Sequence, residues 1–179
     1  MDVSFQLYSA RAFLPWESVF ATLARFGYRQ VEAFGAVYEA PEQFRALLDR
    51  WDLRMPSGHV FPLATLEESL PATVTAARHL GIERLYCPAP DEALRDSDAP
   101  ADWIALARRL EDVAKAVQDQ GLRFGWHNHD WEFRALADGT RPMELLLEHA
   151  PSMDWEIDVA WVARGGADPL DWIARHGAR

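Results

Sequence analysis

Gln120-Gly121-Leu122-Arg123-Phe124-Gly125-Trp126-His127-Asn128-His129 reads as a helix end, a short buried strand and a polar tip. Gly121 stands where a helix should stop, since glycine takes the left-handed C′ conformation without a Cβ penalty. Leu122 then leads into the strand, and ionisable side chains close it. Phe26-Gly27-Tyr28 and Leu80-Gly81-Ile82 repeat the same joint. Apolar runs that read as buried strands recur six times, at Val3–Leu7, Gln30–Phe34, Arg54–Val60, Arg84–Cys87, Arg123–His127 and Asp154–Asp158.

Helical periodicity fills the intervals. Trp16, Val19, Phe20 and Leu23 share one face after Pro15, and Phe44, Leu47, Leu48 and Trp51 repeat it. Leu66–Leu80, Trp103–Val117, Met143–Leu147 and a short segment around Leu170–Ile173 follow. Alternating β and α units imply a parallel sheet of the α/β class. An open doubly wound sheet would need a Gly-x-Gly-x-x-Gly after its first strand to bind a dinucleotide, and none is present. A (β/α)8 TIM barrel instead places polar residues at strand C-terminal ends. The tips here are Tyr8-Ser9-Ala10-Arg11, Glu32, Ser57-Gly58-His59, Pro88-Ala89-Pro90, His127-Asn128-His129 and Asp158, and four of these six carry metal-competent carboxylates or imidazoles. The barrel reading follows. Six units are present where closure takes eight and about 250 residues, so residues 1–179 are expected to form one barrel domain, incomplete at the C-terminus.

Composition narrows the function classes. The net charge of −10 offers no basic footprint for a phosphate backbone, so no nucleic-acid partner is expected. No apolar run approaches the roughly 20 residues that span a bilayer. Met1-Asp2-Val3-Ser4-Phe5 lacks the basic start of a secretory signal. The lone Cys87 excludes an internal disulfide, and these features together point to a cytoplasmic protein. Cys87 precedes Pro88 with no basic neighbour and reads as inert. Residues 91–102 read as an acidic loop over the barrel mouth.

His127-Asn128-His129-Asp130-Trp131-Glu132-Phe133 and Glu156-Ile157-Asp158-Val159-Ala160-Trp161 resemble the sugar phosphate isomerase/epimerase superfamily of xylose isomerase-like TIM barrels. Val31-Glu32, Ser57-Gly58-His59 and residues 163–169 extend the resemblance along the chain. The resemblance implies a divalent ion (Mn2+, Mg2+ or Zn2+) at the barrel mouth. It implies Asp158 as a metal ligand, together with a strand-five ligand among His127, His129 and Glu132, of which His127 is taken here. It also implies a strand-seven histidine and a strand-eight glutamate that would lie beyond Arg179. The chain alone is therefore expected to hold metal weakly and to leave ketoses unturned.

The residues themselves point the same way. His127 and His129, two apart on an extended segment, share a side, and converging imidazoles suit a metal. Asn128 points away and ties the loop backbone. Glu132 is a candidate ligand or acid/base; Glu32 is a candidate proton-transfer group, or else a structural partner of Arg11. His59, His129, Trp126 and Trp161 are candidate substrate contacts, with Trp16 and Trp131 as further wall candidates and core packing as the competing reading. The implied chemistry is metal-assisted proton transfer next to a carbonyl in a sugar or cyclitol, which isomerases, epimerases and dehydratases share. A non-catalytic barrel remnant, sugar-binding or structural, is the alternative of another class; a DNA-repair nuclease is disfavoured by charge. Two unpaired parallel edges predict self-association into a homo-oligomer.

Overall fold

In the computed structural model, which describes residues 3–179, β1 (Ser4–Gln6) is followed by a 3-10 turn over Leu7–Ala10 and α1 (Trp16–Arg25). Met1 and Asp2, the first residues of the segment read as lacking a signal's basic start, lie outside the described residues. Then come β2 (Gln30–Ala33), α2 (Gly35–Glu39), α3 (Pro41–Trp51), β3 (Arg54–His59), α4 (Ala64–Leu80), β4 (Arg84–Cys87), α5 (Glu92–Arg95) and α6 (Pro100–Gln118). The chain continues through β5 (Arg123–His127), a 3-10 turn over Trp131–Phe133, α7 (Pro142–His149), β6 (Asp154–Glu156), α8 (Val159–Arg164) and α9 (Pro169–His176). All six strands are parallel and lie in sequential order, curling into six units of a TIM barrel with helices outside. Among the described residues β1 and β6 each pair on one side only.

The expected glycine joints are present: Gly27, Gly81 and Gly121 have φ of +87°, +82° and +75° and end α1, α4 and α6. The longer helices each bury one apolar face. On α6 that face is Trp103, Leu106, Ala107, Leu110, Val113, Ala114 and Val117, all buried. Each fully buried Leu or Val contributes about 1.5–3 kcal/mol, and this face anchors the layer behind β4 and β5. Residues 91–102 differ from the expected loop: α5 forms within them and Pro100 already opens α6.

Strand alternation decides which side chains reach the barrel interior. His127, at the end of β5, is paired across to Glu156 of β6, and His59 of β3 to Tyr86 of β4. Gly125, two residues before His127 and so on the same face, makes room for this arrangement. A Cβ there would meet Asp154 O at 2.7 Å and the Tyr86 ring at 2.7 Å. Backbone oxygen cannot yield, so Gly125→Ala is expected to destabilise the fold by about 1–3 kcal/mol in denaturant unfolding, the usual cost of overpacking. An unchanged midpoint would show that β6 can move away from β5 freely.

Candidate active site

Three donor atoms from three strands converge at the C-terminal rim. His59 Nε2 lies 2.7 Å from Glu156 Oε2, and His127 Nδ1 lies 3.1 Å from the same oxygen. The two imidazole rings are 4.7 Å apart. All three ligating atoms fall within 4.8 Å of one another. Glu32 completes the cluster from β2, with Oε1 3.4 Å from His59 Nε2. It accepts from Gln6 Nε2 at 3.1 Å and from Ser57 Oγ. Gln6 Nε2 also sits 3.3 Å from His59 Nδ1.

The two carboxylates divide their titration. Burial, and then the Glu156 charge, push Glu32 up to about 7. Burial raises Glu156 too, but bonds from His127 and His59 and the His59 charge outweigh it and hold Glu156 well below the usual carboxylate range. Two carboxyl groups in one half-buried cluster cannot both ionise cheaply, and the one facing two imidazoles keeps its charge.

Beside this cluster lies an aromatic wall. The His129 ring is 5.2 Å from His127, stacks on Trp131 at 4.4 Å, and leans on Trp161 at 5.1 Å. Burial, then the neighbouring His127, lowers His129 to about 4, so its ring is neutral near pH 7.

Several residues singled out from the sequence stand elsewhere. Asp158 lies outside the three-donor cluster and is the N-cap of α8, its Oδ1 accepting from Ala160 N at 2.9 Å and Trp161 N at 3.0 Å. Strand β6 stops two residues earlier than expected, because the chain turns into α8 at Val159. The last inward carboxylate on the strand is therefore Glu156. Trp126 is fully buried behind the sheet and is no wall of a pocket: it alternates with His127, and its Nε1 donates to Glu132 at 2.9 Å. Glu132 is not on the rim either. Its side chain is fully buried, also accepts from His129 N at 2.9 Å, and holds the 3-10 turn beneath the tip of β5. Burial pushes it up to about 7.

Glu32 has no contact with Arg11, which donates to Tyr8 O at 2.8 Å. Asn128 ties the backbone as expected, accepting from Asp158 N at 2.9 Å and from Trp155 Nε1 at 3.0 Å. Trp16 packs among Phe34 and Phe44. Cys87 is buried and its thiol is raised to about 12 by that burial, in keeping with an inert role. Sequence reasoning assigned no role to Gln6, Ser57 or Glu156. The signal for Glu156 was available, because it sits two residues before Asp158 on the same strand face.

No protein-family model and no curated protein matches the chain. Solved structures do. A sugar phosphate isomerase/epimerase from Parabacteroides distasonis superposes with a TM-score of 0.85 at 22% identity, over 98% of this chain and 71% of its own. A probable 3-DHS dehydratase from Bacillus anthracis gives 0.75 at 13%, over 99% and 70%. A family 2 AP endonuclease from Brucella melitensis gives 0.75 at 11%, over 98% and 75%. At these identities the likeness is one of fold: the chain is built as six βα units of a TIM barrel. No helix among the described residues is long and apolar enough to cross a membrane.

Proposed function

We propose that the rim cluster belongs to a metal-dependent isomerase or epimerase of a sugar or cyclitol, acting by proton transfer next to a carbonyl. One observation carries this reading: His59, His127 and Glu156, from three separate strands, bring their ligating atoms within 4.8 Å, with Glu32 touching the group. The donor set of two imidazoles and a carboxylate suits Zn2+ or Mn2+. The residues present fit an ion. His127 Nδ1 is buried with Glu156 Oε2, at 3.1 Å, as its one polar partner, so a cation between the two would be held by both once Nδ1 gives up any proton. When bound, such an ion polarises a substrate carbonyl and its adjacent hydroxyl.

The chain's own residues do the rest. Glu32, held by Gln6 and Ser57 and titrating near 7, takes up a proton from the carbon beside the carbonyl. Gln6 orients both Glu32 and His59. The neutral His129 ring with Trp131 and Trp161 forms the face against which an apolar sugar surface rests. The net charge of −10 disfavours the polyanionic substrate of an endonuclease.

Solvent deuterium exchange tests the reading at the step that isomerases, epimerases and dehydratases share. With Mn2+ in excess and a panel of ketoses and cyclitol ketones in D2O, label is expected at the carbon next to the carbonyl without net conversion of the ketose. Glu32→Gln is expected to lower that exchange by about 10²–10⁴-fold, the usual contribution of a general base, while the ion stays bound. Equal exchange by the Glu32→Gln protein would remove Glu32 from the chemistry.

A further inference from the structure

Tyr86 stands on β4, between the two strands that supply the imidazoles. Its register partners are His59 on β3 and Gly125 on β5, so its side chain shares their face and points into the barrel. Of the four tyrosines it alone lies on a strand. The rings of His59 and Tyr86 meet edge to face with their centres 6.3 Å apart. On its other side the Tyr86 ring runs so close over Gly125 that a Cβ there would lie 2.7 Å from it. Gly125 is two residues before His127, so the ring takes the place beneath that imidazole which a β5 side chain would otherwise fill.

The ring carries a hydroxyl to that place. Unlike the Tyr38 hydroxyl, which is sealed behind the sheet, the Tyr86 hydroxyl is not closed off from solvent, and it makes no hydrogen bond among the described residues. Burial, then the charges of Glu156 and Asp154, push the phenol up to about 12, so those carboxylates lie near its oxygen. A ring needed only for packing over Gly125 would be served by phenylalanine. Here the hydroxyl faces the space that the rim cluster encloses, and His59 divides that space. Glu32 approaches His59 from β2, at 3.4 Å, and Tyr86 approaches it from β4. A ligand laid across His59 therefore meets Glu32 on one side and the phenol on the other.

We propose that Tyr86 is a further catalytic residue of the rim site, its hydroxyl donating a hydrogen bond to the ligand oxygen that gains negative charge during proton abstraction. The inference rests on the reading of Glu32 as the base and of the cluster as the reacting end. When Glu32 takes the proton from the carbon beside the carbonyl, the electron pair of that C–H bond enters a new carbon–carbon double bond. The carbonyl π pair moves onto oxygen. The phenol keeps its own proton throughout, and return of the proton from Glu32 reverses the movement. A positioned donor aimed where charge develops stabilises the transition state more than the ground state. The role also gives Gly125 a second meaning, because a side chain there would push the ring, and the donor with it, out of reach.

Tyr86→Phe tests this, since it keeps the ring over Gly125 and removes only the hydroxyl. With Mn2+ in excess in D2O, deuterium uptake by fructose and by 2-keto-myo-inositol is followed against ketone concentration, for the unaltered chain and for the variant. Mn2+ titration by calorimetry and urea unfolding are run on both. The maximal uptake rate is expected to fall about 10²–10³-fold in Tyr86→Phe, the usual cost of removing one such donor. The half-saturating ketone concentration, the ion affinity and the unfolding midpoint should stay close to those of the unaltered chain. Tyr28→Phe, which takes a hydroxyl from a ring packed on Phe5, should leave the uptake rate unchanged. An undiminished maximal rate in Tyr86→Phe overturns the proposal. So does a fall in rate matched by an equal loss of ion affinity or stability, which makes Tyr86 a prop of the cluster. No uptake by the unaltered chain is a different result: it removes the reading of the rim cluster, and this assignment with it.

Discussion

Glu132→Gln is expected to remove about 3 kcal/mol of pH-dependent destabilisation between pH 4.5 and 7. Glu132 is raised by burial from 4.5 to about 7 in the folded protein, whereas the unfolded chain ionises near the ordinary value. Between those pH values the folded state holds a proton that the unfolded state has released, so stability falls as pH rises through the interval. The loss is complete above pH 7, and a shift of this size corresponds to about 3 kcal/mol. An amide does not titrate and contributes no such slope. At pH 5 the variant should be the less stable protein by about 1–3 kcal/mol, because its NH2 group faces a donor where the carboxyl accepts from Trp126 Nε1 and His129 N. At pH 8 that difference should vanish or reverse. Urea midpoints of both proteins at pH 5 and pH 8 decide it. Glu32 adds a slope of the same sign to both, so the readout is the difference between them. Parallel pH profiles would mean that Glu132 is ionised throughout.

Glu132 also shows where sequence reasoning loses hold. The six strands were legible to within two residues at each end, because buried parallel strands read as short apolar runs and the Gly27, Gly81 and Gly121 joints have one conformational meaning. Much of the rim was legible as well: Glu32, His59 and His127 all sit at strand tips and meet in space. What a strand pattern does not tell is how the chain leaves the strand. After β5 it folds under itself, carrying Glu132 into the interior and away from any ligand. After β6 it starts a helix at once, and a residue that looks like the last polar tip becomes an N-cap. Trp126 is a different case. Its neighbour His127 faces the barrel, so alternation alone places it behind the sheet, and its position next to a candidate ligand carried the wrong weight. Gln6 and Ser57 are neutral residues on strands, and only the folded proximity of Glu32 and His59 gives them a role.

The pair Glu156 and Asp158 allows the largest effect on cation binding to be predicted. Glu156→Gln is expected to weaken Mn2+ or Zn2+ binding at least about a hundredfold, since even partners one bond removed from a metal are worth ten- to a hundredfold. The substitution removes the one anion that faces both imidazoles, at 2.7 Å and 3.1 Å, yet its amide oxygen still accepts from His59. The fold should therefore survive. The loss of the neighbouring charge should also bring Glu32 down from about 7, leaving burial as the main cause that still raises it. Asp158→Ala should behave differently. It strips the N-cap from α8 and costs about 1 kcal/mol of stability, while the three donors stay in place and ion affinity changes by no more than a few-fold. Ion titration followed by calorimetry on both variants, with unfolding measured alongside, separates the two carboxylates. Loss of the ion in Asp158→Ala with retention in Glu156→Gln would reverse the assignment. The resemblance at residues 156–161 would then have identified the ligand correctly, and the contacts among His59, His127 and Glu156 would be a hydrogen-bonded prop beneath it.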